Sequence, residues 1–345
     1  MTIADVLLSI LWLALFVYAI FGGADFGAGM LELFAFGESG ARQEALIDES
    51  IGPVWESNHV WLIFLLVVFF TAFPPAFAAI NVVLFIPLLL AAIGIVLRGS
   101  SFVFKTHGII RRSRNVRILS RIFSVGSAIT PFFLALTGAA IASGVIVIHN
   151  QSQVVTNTGS YWLTPFTLTV GAMALCLCVT ISAIYLTVEA TSCGETELAE
   201  AFRRRGLVAG ALTAAFGLLG LILSPSEAPA LWHGLLDKAI PIVIVTMLVG
   251  IATAAALWFR RYVWARVLVV ILTAFLLLSW GVSQYPYIIP PDVTAANASS
   301  PLETQQFLLV GIIIALIIII PSLWYLFYVF KLKKVETDVA RTIAE

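Results

Sequence analysis

Long apolar runs separated by short polar stretches dominate the chain. Nine can be marked, approximately over residues 3–34, 53–73, 76–104, 122–148, 162–188, 207–223, 238–259, 264–285 and 305–330. Most are close to, or longer than, the ~20 apolar residues a helix needs to cross a bilayer. Several, such as Leu308 to Ile320, are apolar all round, which suits a lipid-facing or bundle-core helix better than a one-sided soluble one. The residue-by-residue alternation of a membrane β-barrel is absent. The pattern predicts an all-α, polytopic membrane protein of about nine transmembrane helices packed as helix bundles. With no repeat of fixed period and no low-complexity linker, residues 1–345 read as a single integral membrane domain. Most links are short, so neighbouring spans pair as antiparallel hairpins.

Composition agrees. Of 345 residues 61% are hydrophobic and 11% charged, against about 25% charged in a soluble chain. The formal net charge is zero, which gives no electrostatic basis for a nucleic-acid partner. Cys176, Cys178 and Cys193 are too few, and too apolar in setting, for a disulfide framework or a zinc site. The start, Met-Thr-Ile-Ala-Asp, lacks the basic n-region of a removable signal peptide, so the first run is expected to stay as a span.

The placement of charge gives an orientation. With nine spans, sixteen of the 19 Lys and Arg residues fall on one face, in 35–52, 105–121, 189–206, 260–263 and the tail from 331. Basic residues collect on the cytoplasmic side. The chain is therefore expected to be multi-pass, with its N-terminus outside and its C-terminus cytoplasmic.

Ionisable groups at membrane depth are costly and mark function or a specific pairing. Asp25, Glu56, His59 and Arg98 are of this kind. Asp25 stands among glycines 22, 23, 27 and 29, which let a neighbouring helix approach closely; a kink-capping and a functional carboxylate are both compatible with that setting. Glu56 lies in Ile51-Gly-Pro-Val-Trp-Glu-Ser-Asn-His-Val-Trp61. Its helix starts either at Pro53 or near Arg42 with Pro53 inside it. In the second case the hairpin turns near Gly40, with Asp25 15 residues before and Glu56 16 after. At ~1.5 Å rise per residue the two acids then share one depth, where close carboxylates would hold a proton between them. Arg98 is expected to pair with a carboxylate or a lipid headgroup.

Glu56 and His59, three apart, form half of a di-iron signature. The residues three before His107, His149 and His233 are Phe104, Ile146 and Ala230, so no second half exists. His59 is the only clearly intramembrane histidine; it could hold one haem with Met or an open site but cannot build a multi-haem centre, and a histidine hydrogen-bonded to a neighbour is the preferred reading. Asn58 and His59 extend the polar face of Glu56. Trp55 and Trp61 either pack or wall an apolar path for a small gas.

These residues carry a resemblance. Asp25-Phe-Gly-Ala-Gly-Met-Leu31, Ile51-Gly-Pro-Val-Trp-Glu-Ser-Asn-His-Val-Trp-Leu62, Leu97-Arg-Gly99 and the late Trp280-Gly…Tyr285-Pro…Pro290-Pro291 resemble subunit II of cytochrome bd quinol oxidases in order and spacing. The resemblance implies a subunit of a quinol:oxygen oxidoreductase, in a bacterial or archaeal cytoplasmic membrane, that is not catalytic alone and binds no cofactor itself. It implies a haem-bearing subunit I holding haem b and haem d, with quinol and dioxygen as substrates of the complex. A quinone or membrane lipids against the chain, and a small single-span accessory subunit, are compatible with it. It gives Glu56 and Asp25 as proton-path candidates and Trp61 as lining an oxygen route. Two departures would mark a divergent branch: Val103 replaces an acid between Phe102 and Phe104, and Ala24 replaces an aromatic before Asp25. The competing reading is an ion-coupled transporter with an intramembrane carboxylate site, for which the sequence offers no inverted repeat.

Overall fold

The computed structural model describes residues 2–35, 39–106, 113–144, 146–149, 153–155 and 162–328; within these, the side chains of 51–57, 105–106, 113–117, 147–149, 153–155 and 326–327 are not described. The first helix, α1 (Ile3–Glu32), starts on a capping box in which Thr2 Oγ1 accepts from the Asp5 amide at 3.2 Å and Asp5 Oδ2 accepts from the Thr2 amide at 2.8 Å. These bonds satisfy donors that a helix start would otherwise leave orphaned. The second, α2 (Gly40–Ala72), is one continuous helix, so the earlier of the two starts is the one adopted.

At Phe73 the chain turns. Pro74 and Pro75 open a short helix, α3 (Pro74–Val83), bent by 115° against the end of α2. A fresh helix, α4 (Phe85–Thr106), follows the break at Leu84. The single span expected over 76–104 is thus two pieces. Pro87 has no N–H to offer the Val83 carbonyl, which favours an interruption here and suits Pro87 to the first turn of α4. Next, α5 (Ser113–Ala142) stops six residues short of the expected end at 148, and Gly144 follows with φ 75°. The chain then forms a small antiparallel pair, β1 (Val147–His149) and β2 (Gln153–Val155), so His149 lies in a strand rather than at a helix end.

The second half is a run of hairpins. It comprises α6 (Pro165–Ser192), α7 (Thr196–Glu227), a short α8 (Pro229–Gly234), a π-helical turn at Leu235–Ala239, α9 (Ile240–Trp258) and α10 (Tyr262–Gln284). The seventh helix is longer than the expected 207–223 because its charged first turns continue the same helix. After a second small strand pair, β3 (Tyr287–Ile289) with β4 (Val293–Thr294), α11 (Leu302–Phe327) closes the chain. Among the described residues, eight helices are long and apolar enough to cross a membrane, or nine if the bent pair counts as one span. The protein is an all-α polytopic membrane protein.

Helix α1 is the axis of the packing: it lies against α2, α5, α6 and α10, while α4 pairs with α5, α6 with α7, and α9 with α10. One apolar cluster joins the start of α1 and the end of α2 to α3, the 288–298 segment and α11. Another joins the end of α1 to α2, α5, α6 and α7. Between these two clusters lie the charged residues.

Candidate functional site

Close helix contact creates the site. A Cβ on Gly27 would stand 2.0 Å from the Cys178 carbonyl oxygen, so the backbone of α1 touches that of α6. A Cβ on Gly126 would stand 2.8 Å from the Gly94 carbonyl oxygen, so α4 and α5 also meet backbone to backbone, less tightly. Arg98, one turn beyond Gly94, is thereby brought against both α5 and α1.

Its guanidinium grips Asp25 through two nitrogens. Nη1 donates to Oδ2 at 2.6 Å, Nη2 donates to Oδ1, and Nη2 also reaches the Asp25 carbonyl oxygen at 3.4 Å. Nε donates to Ser127 Oγ at 2.8 Å, and that hydroxyl donates to the Phe123 carbonyl at 2.8 Å. The Phe26 and Phe123 rings take the guanidinium carbon at 5.0 and 4.8 Å from their centroids. Asn58 Nδ2 donates to Asp25 Oδ2 at 3.2 Å. The side chains of Arg98 and Asp25 are 2% and 0% exposed, so both charges are out of solvent and each is met by the other. A two-point Arg–carboxylate contact fixes orientation as well as charge, and the flanking rings add cation–π attraction in a desolvated setting.

The sequence-derived residues fall in three groups. Asp25, Arg98 and Asn58 are brought together. His59 and Trp61 lie just beyond on α2, both half-buried, with Trp61 edge-on to Phe64 at 5.9 Å between ring centres. Glu56 and Trp55 belong to α2, but their side chains lie outside the described residues, as does the expected Asp25–Glu56 contact. What the structure gives is that Asn58, two residues past Glu56, meets Asp25, so this part of α2 lies at the depth of Asp25.

Sequence reasoning missed several participants. Phe26, Phe123 and Ser127 carry no charge and stand in no motif that marks them in the sequence. The pairing of small residues Gly94 and Gly126 one turn from Arg98 and beside Ser127 was the available signal. A further buried acid, Glu32, accepts from Ser120 near the end of α1. Among the described residues, the Tyr18 hydroxyl, the Asn58 side-chain oxygen and the Trp61 indole N–H are buried with no hydrogen-bond partner. Among the same residues no three His, Cys, Asp or Glu converge as metal ligands.

Tightly packed membrane-spanning helices around one sealed ion pair define a polytopic helical membrane protein with a charged centre on α1, α2 and α4. The family described as cytochrome bd terminal oxidase subunit II matches residues 3–330, and the chain belongs to that family. It is therefore a subunit of a cytochrome bd-type terminal oxidase complex, and the transporter reading is not favoured. The chain is 23% identical to a putative cytochrome bd menaquinol oxidase subunit II of Bacillus subtilis, covering 96% of this chain and 97% of that protein. It is 25% identical to the cytochrome bd-I ubiquinol oxidase subunit 2 of Escherichia coli, covering 93% of each. A chain of the bd oxidase structure from Geobacillus thermodenitrificans matches with a TM-score of 0.81 at 26% identity, over 96% of this chain and 99% of that one.

Proposed function

We propose that this chain is the haem-free second subunit of a quinol:oxygen oxidoreductase, forming one membrane domain beside a haem-bearing subunit I. Its work is to support assembly and to bring protons, and dioxygen, toward haem b and haem d in that partner. The family match over nearly the whole chain carries this reading. The lack of a second intramembrane histidine to face His59 supports placing the haems in the partner. Menaquinol and ubiquinol both occur in the names of the relatives, and the substrate is assigned here only as a quinol. The basic residues favour an outer N-terminus and a cytoplasmic C-terminus.

Within the charged centre the roles divide. Both oxygens of Asp25 are engaged by Arg98, and one by Asn58 as well. That arrangement suits Asp25 to clamping α1 to α4, with proton transfer falling mainly to Glu56 on the adjoining stretch of α2. The buried, unpartnered polar atoms of Tyr18, Asn58 and Trp61 support a hydrated layer here, because such atoms are generally met by ordered water. Trp61 and Trp55 are assigned to the oxygen route or its packing. A reduced-minus-oxidised spectrum of the chain purified with whatever stays bound tests the reading. Haem b and d bands arriving with a larger subunit are expected; a colourless, solitary chain would overturn it.

A further inference from the structure

A cavity of about 370 Å³ opens at the end of the bundle where the Arg-rich segments lie. Val188, Thr191 and Ser192 at the close of α6 form one wall; Arg260, Arg261 and the first turn of α10, Tyr262 to Trp264, form the other. It lies far from the Asp25–Arg98 centre in the chain, and the function above does not use it. We infer that this cavity binds the headgroup of an anionic phospholipid, its phosphate held by Arg260 and Arg261.

Four observations carry the assignment. First, the cavity has an excess of positive charge. Glu200 is the carboxylate that approaches Arg260, at 3.5 Å, and it is shared with Arg203 at 2.7 Å and Arg204 at 3.2 Å. Among the described residues Arg261 has no carboxylate partner. Arg260 is 67% exposed and needs no countercharge in water, but an anionic group entering this corner is attracted by both arginines.

Second, the surroundings are those of a membrane interface. Trp258, Phe259, Val263 and Trp264 are 66, 72, 61 and 65% exposed around the same turn. Large aromatics standing out beside cations are favourable where headgroups meet acyl chains. A free phosphate gains nothing from such walls, whereas a phospholipid uses the arginines and the apolar rim together.

Third, the space suits a headgroup. It corresponds to on the order of ten waters, enough for a phosphoglycerol unit, and it lies between two helices rather than on a flat face. Fourth, a left-handed cap brings the two arginines together: Arg260 has φ 59°, and its amide and that of Arg261 are taken up by the Leu257 and Ala256 carbonyls, which leaves the guanidinium groups and the amides opening α10 as the donors. The N-cap Arg261 makes no side-chain cap, so the amides opening α10 add to a positive cavity already made by the arginines.

Arginines that only set topology would behave alike wherever they stood on this face, which gives the test its control. The assembled complex is delipidated and titrated by native mass spectrometry with phosphatidylglycerol, phosphatidylcholine or inorganic phosphate. Removing two cations, Arg260→Gln with Arg261→Gln, is expected to cost one bound phosphatidylglycerol per complex, with affinity at that site about thirtyfold weaker. Arg42→Gln, on the same face but outside the cavity, should leave binding intact. Excess inorganic phosphate should not displace the lipid. Should the double variant fail to assemble, judged by haem content, Arg261→Gln alone carries the measurement, with a smaller loss expected at the same site. Unchanged phosphatidylglycerol retention in the variant, equal binding of phosphatidylcholine, or displacement by inorganic phosphate would each overturn the inference; none of them bears on the oxidase reading, which rests on the haem spectrum.

Discussion

Asn58 and Arg98 donate to the same oxygen, Oδ2 of Asp25, one from α2 and the other from α4. Asp25 is thus the point at which three helices are tied, and its second oxygen and its carbonyl are taken by the same guanidinium.

Deleting one charge leaves the other buried and alone. Such a change commonly costs ~3–5 kcal/mol. Arg98→Gln and Asp25→Asn are each expected to lower the melting temperature and the yield of assembled complex. The double variant should recover part of the loss, because a neutral pair needs no countercharge. A thermal-shift double-mutant cycle measures this, and strictly additive losses would count against the clamp.

Glu56→Gln is nearly isosteric and cannot exchange a proton. Oxygen consumption is expected to fall at least tenfold, with haem content and assembly unchanged. Unaltered turnover would move proton supply away from this residue.

Glycine positions separate close approach from tolerance. Gly27→Val would drive a side chain into the Cys178 carbonyl, and Gly126→Leu would force α5 from α4; both should abolish accumulation of the folded chain. Gly311→Ala meets nothing within 4 Å and should be silent, or slightly stabilising through helix propensity of about 1 kcal/mol. Expression and thermal stability measured side by side would check the contrast.

Trp61 offers a test of the oxygen route. Its indole N–H has no protein partner among the described residues, so Trp61→Phe strands no hydrogen-bond partner and costs only the packing lost to a smaller ring at a half-buried site, about 1 kcal/mol. If the ring lines the path of dioxygen, the apparent KM for oxygen should shift while the maximal rate holds. A shift in neither quantity would reduce Trp61 to packing.

The spans were legible because a bilayer writes its thickness into the chain as apolar length. Arg98 was legible as a residue needing a countercharge, since membrane depth makes that demand whatever the fold. Its partner was not. Periodicity says which residues share a helix face, whereas the meeting of Arg98 with Asp25 depends on how Gly94 and Gly126 let α4 and α5 close up, a tertiary fact. The break at Leu84 was missed for a different reason: residues 76–104 are apolar on both sides of it, and hydropathy does not register an interrupted hydrogen-bond ladder. The short strand pairs escaped notice because they lie in links with no periodic pattern of their own.

Asp25 is made 73 residues before Arg98. At ordinary rates of synthesis that interval is roughly 4 to 15 s, during which α1 stands without the cation that will neutralise it. A lone aspartate costs about 2.5–3.5 kcal/mol at the centre of a span and less at the position of Asp25, in the last third of α1, and the apolar remainder of α1 must carry that burden until α4 is inserted. The clamp is therefore complete only once α4 has been inserted: in chains truncated before α4, Asp25 lacks its cation and is expected to take up a proton rather than carry a buried charge.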